Sequence, residues 1–138
     1  MRIFQIVVLV LSGLALLYAC SMRFINPTEA VFLQTYFENP DNRLEADIEL
    51  VNEIRGVGAV MLLGAIVTFL GAIRADFRLT ALVVAAVILG GVVLGRSLSL
   101  FIDGIPDADL IRAYVAEIVL GTLNVVCLIS LFIQGRKS

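Results

Sequence analysis

Four long apolar stretches, separated by two short polar breaks and one long one, set the pattern of this chain: they cover about residues 3–20, 55–73, 79–102 and 110–133. Each is a continuous run, close to the roughly 20 residues a helix needs to cross a hydrocarbon core of about 30 Å. A membrane β-barrel would instead show strands of about ten residues with period-two alternation. The pattern therefore predicts an all-α polytopic membrane protein, a bundle of four transmembrane helices making a single membrane domain over residues 1–138.

Inside the spans, the small and polar positions recur at helical spacing. Gln5, Ser12 and Ala19 stand seven apart and mark one face of the first span to turn toward its neighbours. Gly56, Val60, Gly64, Val67 and Gly71 share a face of the second, and the LGAI of residues 63–66 repeats at 70–73. Gly91 and Gly95 form a GxxxG pair in the third, continued by Ser99, and Glu117, Gly121 and Asn124 line one face of the fourth. Small residues let helix backbones approach closely. Gly64, Gly71, Gly91, Gly95 and Gly121 are thus the expected packing positions. Such rows suit contacts within one bundle and between chains equally, so no oligomer number follows.

The breaks are unequal. Residues 22–52 form a long connection with Pro27, Pro40 and an excess of acid: Glu29, Glu38, Asp41, Glu45, Asp47 and Glu49 against Arg23 and Arg43. Asn26-Pro27-Thr28-Glu29 resembles a helix start, with proline in the first turn and an acid at the positive end of the dipole. AVFLQTYF after it reads equally as a short rim helix or as a solvated loop. Asp103-Gly104 with Pro106 ends the third span. The first span has an alternative reading as a cleaved signal, with LYAC at residues 17–20 resembling a lipoprotein processing site. Tyr18 fits that pattern poorly and the apolar run exceeds a signal core, so we read it as a span.

Composition sharpens this picture. The hydrophobic share is 60%, against roughly 45–50% in soluble domains, and mean hydropathy is +1.02. Net charge is -2 and there is no histidine. The scattered basic residues give no concentrated surface for nucleic acid. No cofactor motif, phosphate-cradling loop or metal-spaced cysteine pair is present, so neither catalysis nor a metal is expected. Cys20 and Cys127 fall near opposite membrane surfaces and should not bridge. Loop charge sets the orientation: Arg2, Arg74, Arg78, Arg136 and Lys137 lie on one side and the acidic connections on the other. The positive-inside tendency then puts both termini in the cytoplasm and both acidic loops outside.

Charges inside spans are costly and mark candidate sites. Arg96 lies about 10 Å inward of Asp103 at 1.5 Å per residue, and Glu117 is the opposite charge in the next span. Two such charges at matching depth relieve each other's desolvation. Glu53 or Asp103 is expected to add a second carboxylate and Arg55 a second base. Glu53 and Arg55, however, point about 200° apart on a regular helix. Arg96 is expected either to grip an anionic group beside Glu53 or Glu117, or simply to pair and hold the helices in register. Asn124 with Glu117 would line any ion route.

NEIRGVGAV at residues 52–60, GRSLSLFIDGIPD at 95–107 and Glu117 resemble the DUF4345 family of small four-helix bacterial membrane proteins. The matching positions are Asn52, Glu53, Arg55, Gly58, Gly95, Arg96, Ser99, Asp103, Gly104, Pro106 and Glu117, whereas Val57 replaces a common tyrosine. The resemblance implies a four-helix topology and these site residues, but no mechanism. The expected function is a non-enzymatic membrane accessory or binding protein. Its partners are membrane lipids, another integral membrane protein or a second copy. The alternative is a small transporter or proton conductor using Glu117 and Asn124.

Overall fold

The computed structural model describes residues 2–27, 48–106 and 108–135. Most of the acidic 22–52 connection, the expected rim helix with Phe32, Tyr36 and Phe37, and the basic Arg136 and Lys137 lie outside the described residues. Four long helices follow in order: α1 (Arg2–Ile25), α2 (Ile48–Ile73), α3 (Arg78–Ile102) and α4 (Ala108–Gly135). A short 3-10 turn (Ala75–Phe77) joins α2 to α3. All four are long and apolar enough to cross a membrane. Helices suit that setting because each satisfies its backbone polar groups internally. The protein is a four-helix polytopic membrane bundle.

Two helices outrun the expected spans. α1 continues past Cys20 to Ile25, which carries Arg23 on a helical face, and α2 starts at Ile48, before the acidic Glu49 and Glu53. Helix ends are set by local chemistry. Arg74 adopts extended backbone after α2, and Phe77 N–H returns to the Arg74 carbonyl at 3.2 Å to close the tight turn. α3 ends at Asp103, whose N–H donates to Ser99 O at 2.7 Å. Gly104 follows with φ +105°, a conformation L side chains rarely adopt.

α1 packs along α2, α2 along α3 and α3 along α4, while α1 and α4 touch sparingly. Two core clusters result. Val8, Leu9, Ala81, Leu82 and Cys127 fill one end, and Leu16, Cys20, Met61, Ala65 and Leu89 fill the region toward the other. The two cysteines are free thiols in different clusters. The outside is also apolar: only 17% of the α4 span and 39% of the α1 span are buried, leaving residues such as Leu63, Val87, Leu94 and Phe132 exposed. Lipid tails are as apolar as leucine, so close packing and interhelical hydrogen bonds must hold such a bundle.

The polar face of α1 turns inward. Gln5 Nε2 donates to Ser130 Oγ at 3.1 Å, and Asn124 Nδ2 donates to Ser12 Oγ at 2.7 Å, tying α1 to α4. Gly64 and Gly71 are buried where a Cβ would meet Ile88 Cδ1 and Ala81 Cβ, so both let α3 approach α2. Gly121 lies 3.6 Å from Leu89 Cβ, measured from where its own Cβ would stand. Gly91 and Gly95 depart from expectation: a Cβ at either meets nothing within 4 Å. The GxxxG pair packs against no helix among the described residues, because α3 buries Ala81, Leu82, Ala85 and Leu89 instead. In α2 the buried stripe near its start is likewise Ile54, Gly58 and Met61 rather than Gly56 and Val60.

Candidate functional site

Two adjacent helices bring the intramembrane charges together. α3 and α4 are joined by a short turn, so Arg96 and Glu117 project toward one another at matching distance from it. Arg96 Nε lies 3.1 Å from Glu117 Oε2, and the side chains are only 19% and 17% exposed. The contact is an ion pair without hydrogen-bond alignment, since the buried Glu117 Oε2 has no hydrogen-bond partner among the described residues. Arg96 Nη1 also donates to the Leu110 carbonyl at 3.4 Å, reaching one of the first residues of α4.

The third charge is Arg23, at the end of α1. Its Nη1 donates to the Ala19 carbonyl at 3.0 Å, and it stands within electrostatic range of Arg96 and Glu117. Among the described residues it makes no ion pair. Gly58 on α2 gives its stem room: a Cβ there would lie 3.0 Å from Arg23 Cβ and 3.6 Å from Arg23 Cδ.

These three side chains border a cavity of about 430 Å³ at the α1, α3 and α4 ends. Ala15 and Ala19 on α1 face Ala113 and Ala116 on α4 across it, and Leu16, Leu89 and Leu120 line it too. Small residues on both sides of a seam whose helices barely touch leave a slot. Asp109 lines the rim but is engaged by Arg112 Nη1 at 2.7 Å, on the exposed surface. A smaller cavity of about 180 Å³ lies under the α3–α4 turn and shares Arg96, with Asp103, Gly104 and Tyr114 in its wall. There Ser97 Oγ donates to Val93 O, so the Tyr114 hydroxyl 2.7 Å away donates to Ser97.

The other expected site residues lie outside the larger cavity. Asp103 is exposed and accepts from Ser99 Oγ at 2.7 Å, which makes it part of the helix end. Glu53 and Arg55 are exposed on either side of the buried Ile54 and line neither cavity. Burying Ile54 sends its two neighbours about 100° to each side. Asn124 is fully buried, about 10 Å deeper than Glu117 along α4. It does not line the cavity, and its Oδ1 has no hydrogen-bond partner among the described residues. Among the described residues no group of three potential metal ligands comes together.

Arg23 lies beyond the expected first span, which stops at Cys20, whereas α1 runs on to Ile25. The signal was present, however. Ser12, Ala19 and Arg23 follow at seven and four residues, so the polar face of α1 extends to Arg23 once the helix is continued.

Fold and site together define a four-helix integral membrane protein with a partly apolar, ion-lined cavity at one end. The chain belongs to the family described as "Domain of unknown function (DUF4345)", whose model matches residues 3–128. No curated protein matches the chain, and neither does any solved structure.

Proposed function

We propose that this is a non-enzymatic binding or accessory protein of the bacterial inner membrane, whose cavity receives an anionic group from the outer side. The group belongs to a lipid headgroup, a small anion or a partner membrane protein. The observation that carries this reading is the 430 Å³ cavity bordered by Arg23, Arg96 and Glu117. Its size falls within the roughly 300–1,000 Å³ of small-ligand pockets, which are mostly apolar with a few placed polar groups. Orientation follows from charge: the end with Arg2, Arg74 and Arg78 is cytoplasmic, so the cavity end faces outward.

The test is native mass spectrometry of the protein released from nanodiscs, comparing wild type with Arg96→Ala and with the cavity-filling Ala116→Phe. A retained lipid, anion or partner that is lost in both variants supports binding at this cavity and names what is bound. A bare wild-type species would sink the proposal and leave the Arg96–Glu117 pair as a clamp between α3 and α4.

A further inference from the structure

Resting on the reading of the cavity as a binding site, we propose that Arg23, rather than Arg96, is the cation that meets the ligand. The ligand class is a single-chain amphiphile with an anionic head, such as a fatty-acid carboxylate or a lysophospholipid phosphate.

The charge inventory of the cavity separates its two arginines. Arg96 has its counter-charge in Glu117, 3.1 Å away, and a second contact to the Leu110 carbonyl. Asp109 is taken by Arg112. Among the described residues Arg23 has no carboxylate at ion-pair distance and one hydrogen bond, to a carbonyl of its own helix. A guanidinium carries five N–H donors in a fork that matches carboxylate and phosphate. Among the described residues one positive charge is thus left over at the cavity wall, with most of its donors unengaged. Gly58 places α2 against the Arg23 stem, which limits how far the side chain can fold back toward α2.

The remaining wall asks for hydrocarbon. Leu16 lies two helical turns deeper on α1 than Arg23, about 10 Å along the axis, and Leu16 and Leu89 are buried core residues that also form cavity wall. The four alanines make the slot between α1 and α4 narrow-walled and apolar. A free inorganic anion would leave that surface unfilled. At about 430 Å³ the volume is toward the small end of ligand pockets, which favours one acyl chain over two. The α1–α4 seam, where the helices touch sparingly, gives a side entrance for the chain from the outer leaflet.

The chain contains no tryptophan, so Tyr18→Trp, at an exposed position of the cavity wall, supplies a unique fluorescent reporter. The full chain carrying it, in phosphatidylcholine nanodiscs, would be titrated with a bromine-labelled fatty acid and with bromine-labelled lysophosphatidylglycerol and lysophosphatidylcholine. Both anionic probes should quench saturably, Arg23→Gln should weaken them about tenfold or more, as expected for losing a charge-assisted hydrogen bond, and Arg23→Lys should restore much of the loss. Lysophosphatidylcholine should bind weakly and ignore Arg23→Gln.

Undiminished anionic binding in Arg23→Gln, with loss in Arg96→Ala, would overturn the assignment of Arg23 while the cavity reading stands. Competition by inorganic phosphate at concentrations matching the lipids would overturn the amphiphile. Quenching that is absent, or that persists unchanged in Ala116→Phe, would overturn the cavity reading itself.

Discussion

At the scale of single residues, the Arg96–Glu117 pair decides how much intramembrane charge the bundle tolerates. Removing one partner leaves the other half-sheltered from water and uncompensated. Breaking a fully buried pair costs roughly 3–5 kcal/mol. These side chains keep 19% and 17% exposure, and side chains near a membrane surface can snorkel. Glu117→Gln should therefore destabilise toward the lower end of that range, measured by reversible unfolding in mixed micelles. The double variant Arg96→Met/Glu117→Leu should recover most of the loss, because two apolar side chains need no counter-charge. A double variant as unstable as the sum of the singles would mean that the pair makes further contacts that matter. Gly104 is a separate case: with φ +105°, Gly104→Ala should cost about 1–2 kcal/mol, and an Asn there should cost less.

At the scale of helices, glycines that look alike in the sequence have opposite roles. Gly71 is pressed against Ala81 and the Phe77 carbonyl, so Gly71→Ala must push α2 from the start of α3. Gly91 and Gly95 face open space, and alanine there should raise stability by up to about 1 kcal/mol through helix propensity. The same unfolding titration checks the pair of effects; a loss at Gly91→Ala would reveal another chain lying on that face. The contrast also shows what the sequence could convey. Span number and helical type were legible because four continuous apolar runs admit few alternatives. The Arg96–Glu117 pair was legible because the connectivity fixes their depths and adjacent helices bring them together. Rotation of α3 was not, since a GxxxG pair says that a backbone can be approached but not by what. Glu53 and Arg55 stand away from the Arg96–Glu117 pair for a related reason: burial of Ile54 sets the rotation of α2, and only its packing on α1 shows that. Arg23 was hidden by a span ended one turn too early, at Cys20.

At the scale of the whole molecule, the orientation decides which compartment the cavity serves. The Ala75 end of the bundle holds Arg2, Arg74 and Arg78, with no acid but Asp76 among its described residues. Arg78 is folded in to 7% exposure, so Arg2 and Arg74 present the exposed charge there. The opposite end carries Glu49, Glu53, Asp103 and Asp109 together with Arg23, Arg55 and Arg112. The bias in lysine and arginine of short loops sets topology, and acids contribute little, so the orienting residues are Arg74 and Arg78, which flank the tight α2–α3 turn, and Arg136 and Lys137, which follow α4 in the sequence. The native thiols give a quiet background for testing it, since Cys20 and Cys127 are both buried. A membrane-impermeant maleimide should label Ile105→Cys, in the exposed α3–α4 turn, in cells whose inner membrane is intact. It should reach Ala75→Cys, in the exposed α2–α3 turn, only after that membrane is permeabilised. The reverse pattern would place Arg23, Arg96 and Glu117 on the cytoplasmic side, and the cavity would then draw its amphiphile from the inner leaflet.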